Sequence, residues 1–285
     1  MQIVVHELAK PARLDRFLRD RFPDWGRQAV QQLITAKGVR VNGRPVWLAS
    51  WQVQNGDRLE ITQPPAAKPA PLAHFEERWL IAVEEDLIVV NKPEGLLSEA
   101  PQWRTAANLL DLAMTRFGEL ILFHRLDRDT SGVVLLTRPG PINQYLDRAF
   151  KEGLVQKEYL AVVAKPNQLA ASGIINARLD SHPQRRDMMT VVTRGGKAAV
   201  TRYAVVAESK DRQLVRLWPE TGRTHQLRVH LAHLGAPILG DRLYGQADSA
   251  KQLLLHAQRI TLPALPGFPE RSYEASIPPA FVIKQ

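Results

Sequence analysis

The chain has 285 residues, 45% of them hydrophobic and 24% charged, a globular composition that suits one large domain or a large domain with a small one. It contains no cysteine, which excludes structural disulfides, a thiol nucleophile and a thiolate metal site. The formal charge of +9 leaves two readings, a polyanionic partner whose phosphates are neutralised or a merely solvated basic surface.

The start, Met1-Gln-Ile-Val-Val-His-Glu, lacks the basic stretch and long apolar run of a signal peptide. Apolar runs such as Val133–Leu136 and Leu253–Leu255 are too short to span a bilayer. A soluble cytoplasmic protein without a membrane partner is therefore expected. Arg13–Arg21 reads as a helix with Leu14, Phe17 and Leu18 on one face. A second helix over Gly26–Ala36 turns Val30, Leu33 and Ile34 inward, and Gly38 is expected to end it in the left-handed conformation. Val39-Arg-Val-Asn-Gly-Arg-Pro-Val46 alternates around an Asn-Gly pair and predicts a hairpin. Val53–Ile61 adds a turn and a strand. Trp25, Trp47 and Trp51 could stack on unpaired bases, but packing in a small core is the ordinary expectation for them. The stretch Met1–Ile61 carries ten Lys and Arg against six Asp and Glu, a net +4.

Thr62–Ala73 holds four prolines in twelve residues, which forbid regular helix or central strand and predict a semi-rigid linker. The expected organisation is a small domain over 1–62, a linker over 63–74 and a large domain over 75–285. The small domain's run Arg13-Leu-Asp-Arg-Phe-Leu, then Gly26-Arg-Gln-Ala-Val-Gln-Gln-Leu-Ile, then Gly38–Val46 and Gly56-Asp is similar to the RNA-binding module of ribosomal protein S-four. That resemblance implies that its helices present basic residues to structured RNA, with Arg16, Arg19, Arg27 and Lys37 as the candidates.

In the large domain, Leu80–Val83 and Leu87–Asn91 predict strands and Asn108–Phe117 a helix. Val133–Thr137 predicts a buried strand, Asn143–Lys151 an amphipathic helix closed by Gly153, and Tyr159–Val163 another strand. Ala199–Val205 and Gln213–Leu217 alternate like half-buried or edge strands, and Thr224–Leu234 predicts a helix ending at Gly235. Helices interspersed with meandering strands give an α+β domain with a mainly antiparallel mixed sheet, preceded by the small α/β domain.

The polar loop His124-Arg-Leu-Asp-Arg-Asp-Thr-Ser-Gly132 sits directly before a buried strand. Charge beside a core is costly unless it is paired or used. Read alone, the loop is a salt-bridged turn in which Asp127 and Asp129 pair with Arg125 and Arg128. Gly132 suits a close approach of the chain to something bulky. His-Arg-Leu-Asp-x-x-Thr-Ser-Gly also resembles the signature loop of RluA-type pseudouridine synthases. Asn91-Lys-Pro-Glu-Gly-Leu-Leu-Ser98, Lys157-Glu-Tyr159, Thr221–His230, Pro237–Tyr244 and Leu255-His-Ala257 resemble further motifs of that family in the same order.

The resemblance implies an RNA isomerase that breaks the bond from ribose to uracil nitrogen 1, rotates the base and rejoins it through carbon 5. It implies ribosomal or transfer RNA as partner, no cofactor and no metal. Asp127 is then the catalytic carboxylate, as nucleophile or base, with Arg228 pairing to it and Tyr159 beside the uracil. Arg125 would fill the space of a flipped uridine, and His124, Arg223 and His225 would bind substrate. His225, His230 and His233 invite a metal reading, but no carboxylate pattern accompanies them. Arg185-Arg186-Asp-Met-Met is a basic segment that could touch RNA or be solvated. The rivals are a non-catalytic RNA-binding or assembly protein, and a carboxylate-based RNA glycosidase with Asp129 as its second carboxylate. A monomer is expected.

Overall fold

The structure, a computed structural model, describes residues 1–23, 25–62, 74–100, 107–164, 169–185, 187–245, 248, 250 and 252–283, without the side chains of Arg27 and Gln28. The chain divides into two compact units, Met1–Leu72 and Ala73–Gln285. Nearly all of the proline-rich stretch expected as a linker lies outside the described residues.

In the first unit, strands β1 (Gln2–Val4), β2 (Ala12–Arg13), β3 (Val39–Val41), β4 (Arg44–Val46), β5 (Gln52–Val53) and β6 (Arg58–Ile61) accompany helices α1 (Leu14–Arg21) and α2 (Arg27–Thr35). Four of the strands form a sheet in the order β1-β6-β3-β4, and β2 pairs with β5. Leu14, Phe17 and Leu18 of α1 meet Val30, Leu33 and Ile34 of α2 over Val39, Val41, Leu59 and Ile61 of the sheet. The helical period of three to four residues puts those positions on one stripe, and burying the stripe holds the unit together. Asn42 and Gly43 both have positive φ, as the hairpin pattern requires.

One helix end differs from expectation. Lys37, not Gly38, is the left-handed residue after α2. Gly38 instead lies close against Leu33, whose side chain would have to shift for a Cβ there, 2.5 Å from Cδ1. Trp25 is buried as expected, whereas Trp47 and Trp51 are 56% and 42% exposed.

The second unit contains β7 (Leu80–Val83), β8 (Leu87–Lys92), α3 (Leu109–Phe117), β9 (Ile121–Leu122), β10 (Ser131–Thr137), α4 (Pro141–Lys151) and β11 (Gln156–Ala164). It continues with β12 (Ser172–Asn176), β13 (Arg178–Ser181), β14 (Met189–Val192), β15 (Val200–Glu208), β16 (Arg212–Pro219), α5 (Gln226–His233), β17 (Leu255–Leu262) and β18 (Arg271–Glu274). Its main sheet runs β12-β15-β16-β11-β17-β10-β8-β7, with β18 added on β17 and β9 on β10. All pairings are antiparallel except β10 with β17, so the sheet is mixed and mainly antiparallel as expected. Helix α4 packs Ile142, Tyr145, Leu146 and Ala149 with Leu87, Val89, Val133 and Leu135 of the sheet. Helix α5 packs Leu227 and Leu231 with Leu160, Val162, Val215 and Leu217.

Two backbone features set the geometry where β10, β17 and β11 adjoin. At Gly132, where β10 meets β17, φ is +119°, and a Cβ would lie 2.2 Å from the carbonyl oxygen of Ala257. Only glycine lets the two strands pair there. In β11 the register against β17 shifts between Glu158 and Tyr159, an irregularity that re-aims the Tyr159 side chain. Among the described residues no helix is long and apolar enough to cross a membrane.

Candidate active site

The loop before β10 does not form the local salt bridges to Asp127 that its sequence allows. Arg128 binds Asp129 through Nε and Nη2 at 2.8 and 3.0 Å. Arg125 turns outward and pairs with Glu99 at 3.1 Å, its side chain 77% exposed. Asp127 is left facing α5, where Arg228 Nη1 stands 3.4 Å and His225 Nε2 3.8 Å from its Oδ2. It lines a cavity of about 460 Å³ with His124, Arg125, Lys157, Tyr159, Arg223, His225 and Arg228. Asp127 is the one carboxylate among the described residues of that lining.

Helix α5 is shorter than the helix expected over Thr224–Leu234. His225 precedes it in the left-handed conformation, with φ of 54°. That turn brings His225 and Arg228 to the same carboxylate from outside and inside the helix. Arg228 is nearly buried, and Asp241 binds it through two hydrogen bonds of 2.8 Å, Nε to Oδ2 and Nη2 to Oδ1. Asp241 Oδ1 also accepts from the backbone N–H of Leu243 and Tyr244. The Arg228 guanidinium lies 5.1 Å from the centre of the Tyr244 ring. Burial works against its charge, but Asp241 and then Asp127 outweigh that, so its pKa stands above the ordinary arginine value.

A chain of hydrogen bonds fixes His225 as well. The Met189 N–H donates to the Tyr244 hydroxyl at 2.8 Å. That hydroxyl lies 2.8 Å from His225 Nδ1. With Tyr244 as donor to Nδ1, the neutral ring carries its proton on Nε2, facing Asp127. Burial lowers the His225 pKa, the Asp127 charge opposing and Arg228 reinforcing that shift. The imidazole is therefore a neutral hydrogen-bond donor near neutral pH.

The residues flanking Asp127 are held by the end of β8 and the segment after it. The buried hydroxyl of Ser98 donates to the carbonyl of Leu126 and accepts from its N–H, both at 3.0 Å. Lys92 is fully buried, and its Nζ donates to the carbonyls of Pro93, Leu96 and Arg128 at 3.0, 2.8 and 3.0 Å. The two residues flanking Asp127 are thus held by one clamp each. Burial pulls the Lys92 pKa down to about 7, against the raising charges of Asp129 and Asp127. The three carbonyls still require all three ammonium protons.

Tyr159 reaches the cavity half-buried from its irregular strand. Burial, and then the charge of Asp127, push its phenol above the ordinary value. It therefore stays protonated near neutral pH. Lys157 lies over the Phe150 ring at 6.0 Å, and His124 stacks on the same ring at 5.6 Å. His124 Nε2 accepts the N–H of Leu135 at 3.1 Å. Burial, then the Lys157 charge, lower its pKa to about 3. Arg223 Nε donates to the carbonyl of Ala198 at 3.0 Å.

Helix α5 also carries His230 and His233. His230 is buried and stands 2.9 Å from Thr201 Oγ1 and 3.2 Å from the Ala177 carbonyl. Arg185 pairs with Asp187 at 3.5 Å, and Arg186 lies outside the described residues. In the first unit, Arg16 pairs loosely with Asp20 at 3.6 Å on the exposed side of α1. Arg19 donates to the carbonyl of Asp15, and Lys37 is exposed. Arg27 begins α2, but its side chain is outside the described residues.

Sequence reasoning places Ser98, Lys92, Asp241 and Tyr244 within motifs and assigns them no role. Their function lies in contacts to residues far along the chain. A buried lysine and a buried aspartate are the signals that exist, and burial is not visible in sequence.

Residues 86–233 match the family model described as RNA pseudouridylate synthase, and residues 12–59 match the S4 domain. The chain is 33% identical over 256 residues to an uncharacterized RNA pseudouridine synthase of Bacillus subtilis, covering 86% of this chain and 83% of that one. It is 30% identical over 243 residues to the ribosomal large subunit pseudouridine synthase D of Escherichia coli K12, covering 82% and 72%. Among solved structures, human RNA pseudouridylate synthase domain containing 4 superposes with a TM-score of 0.58 at 29% identity, over 72% of this chain and 90% of that one. Human RNA pseudouridylate synthase domain containing 1 gives 0.60 at 26%, over 71% and 84%.

Proposed function

Since the chain belongs to the RNA pseudouridylate synthase family and is an isomerase of uridine in RNA, we propose that Asp127 is the carboxylate on which its reaction turns and that its substrate is ribosomal RNA. The observation that carries the first part is the orientation of Asp127. It is turned away from the arginines beside it in sequence and towards a buried Arg228, at the wall of a cavity with no second carboxylate among its described lining. The second part rests on the ribosomal synthase of Escherichia coli and on the S4 domain.

The isomerisation breaks C1′–N1 and forms C1′–C5, while the proton on carbon 5 leaves and N1 gains one. Every atom of the product comes from the substrate or from water's protons. The ionised form of Asp127 is the reactive one, and Arg228 with the Nε2–H of His225 stabilises that charge. Tyr159, kept as a neutral phenol, offers a ring face to the uracil and a hydroxyl donor at its edge. A base stacked in a helix cannot reach Asp127, so the uridine must be extruded, at a cost of a few kcal/mol. Exposed Arg125 stands at the rim to fill the place the base leaves, and Arg223, Lys157 and His124 complete the pocket. Arg16, Arg19, Arg27 and Lys37 contact RNA from the first unit. The enzyme works as a monomer in the cytoplasm. A glycosidase reading needs a second carboxylate to activate water, and Asp129 is held by Arg128 instead.

Asp127→Asn tests the assignment. It removes the charge with little change of shape, so conversion of uridine in ribosomal RNA should fall by a factor on the order of 10³ or more. RNA affinity should stay near wild type. An Asn variant with full activity would overturn the role given to Asp127.

A further inference from the structure

The first unit carries an apolar surface that its own fold does not use. Trp47, Leu48 and Trp51 are 56%, 52% and 42% exposed, all within the short connection from β4 to β5. The connection is not loose. Its backbone turns through a Trp51 N–H to Leu48 carbonyl bond of 3.0 Å. It is then pinned to the start of α1, where the N–H of Leu14 donates to the Trp51 carbonyl at 2.7 Å and the N–H of Asp15 to the Ala49 carbonyl at 3.1 Å. The residue it sends inward is the small Ala49, packed against the core. Val46 and Val53 on either side are buried. The unit's core is therefore complete without the two indoles, and a rigid backbone presents them to water.

A cation stands beside Trp47. Lys37 Nζ lies 5.8 Å from the centre of the Trp47 ring, and no carboxylate of the described residues is within ion-pairing distance of it. Arg44, on the strand leading into Trp47, is exposed. Exposed aromatic faces with an exposed lysine over one of them and an exposed arginine on the preceding strand, on a stretch with a net charge of +4, suit bases stacked on the rings with their phosphates on the cations. A basic surface without aromatic faces would serve duplex backbone equally well. An apolar protein partner would not call for the cations.

We propose that Trp47 and Trp51 form a stacking platform for unpaired nucleotides of the RNA substrate, with Lys37 and Arg44 binding the adjoining phosphates. The proposal rests on the reading of this unit as RNA-binding and goes beyond the helix arginines. The platform would select RNA that carries a single-stranded segment as well as the modified uridine. The duplex-like contacts would be left to α1 and α2.

The test uses the full chain, a short oligouridylate and an RNA duplex of equal length. The double variant Trp47→Ala, Trp51→Ala should bind oligouridylate more weakly by roughly five- to a hundredfold per stacked base. Its salt dependence should be unchanged, because stacking releases no counterions. Duplex affinity should stay the same, and Trp47→Phe with Trp51→Phe should recover most of the loss. Lys37→Ala with Arg44→Ala should instead flatten the salt dependence. Unchanged oligouridylate affinity in the alanine variant, or an equal loss on duplex, overturns the platform. So does a change of self-association or of melting temperature with RNA binding intact, which would mark the patch as a protein contact. Arg16→Ala with Arg19→Ala separates the two ideas. If that variant weakens RNA binding and the tryptophan variant does not, only the platform fails. If neither does, the RNA-binding reading of the unit fails with it.

Discussion

Substituting Asp241→Asn probes how Arg228 is held. Asp127, Asp241 and Arg228 together carry one net negative charge, and the substitution brings the trio to zero. The N–H groups of Leu243 and Tyr244 fix an acceptor at Oδ1, so the amide oxygen takes that place. The amide nitrogen then faces Arg228 Nε, donor against donor, where a 2.8 Å charge-assisted bond stood. Such a bond contributes about 1.5–3 kcal/mol, and the guanidinium, only 7% exposed in its side chain, finds no water to replace it. For a unit of this size that loss lowers the melting temperature by roughly 4–10 °C. Arg228 either keeps its place with an unmade bond or swings towards Asp127 and distorts it.

In either case the charge meant for the reacting carboxylate is misplaced. We expect kcat to fall by about 10²-fold while KM changes little, because the lost contact is not made to substrate. Tritium release from RNA labelled at uracil carbon 5 gives both constants. A variant with the lower melting temperature but wild-type kcat would refute the reasoning, since Arg228 would then need no orienting partner.

Lys92→Met keeps the side-chain length and removes all three donors. The carbonyls of Pro93, Leu96 and Arg128 are left without that partner, at a cost of about 2–4 kcal/mol. Differential scanning calorimetry should show the second unit melting earlier, with kcat reduced less than in Asp127→Asn; an unchanged transition would mean the clamp is idle. The acid side of the stability curve depends on buried histidines kept neutral, with His256 and His124 the most strongly shifted. Burial lowers His256 to about 4, and burial with the Lys157 charge lowers His124 to about 3. Both values lie below that of the unfolded chain, about 6.5. Between those limits the unfolded state binds protons that the folded state refuses, so stability present near neutrality is lost as the pH falls below about 6.5. Melting temperatures measured from about pH 7 to about pH 5 should drop steadily, and His256→Asn should flatten the slope; a flat wild-type profile would contradict the buried neutral rings.

Much of this protein is written locally. The helical spacing of Leu14, Phe17 and Leu18, the Asn42-Gly43 pair and the β-branched run before Thr137 specify their elements through forces that act over a few residues. The ordered motifs around Asp127, Tyr159 and Arg228 likewise make the family legible without any fold. Gly132 signals a close approach, though not that its neighbour would be the backbone of Ala257. What the sequence leaves open is which opposite charges meet. Arg125, Arg128 and Arg228 are all eligible partners for Asp127, and the nearest two in the chain are not the ones used. The choice depends on packing that seats α5 on β11 and β16 and so brings Arg228 to the loop before β10, 101 residues from Asp127 along the chain. The same holds for Ser98 and Lys92 behind the loop and Asp241 behind Arg228. It holds too for the indoles of Trp47 and Trp51, which a pinned backbone turns outward although their composition predicts a core. Local propensity and patterning fix the elements; which polar groups are desolvated together is decided only when distant elements pack.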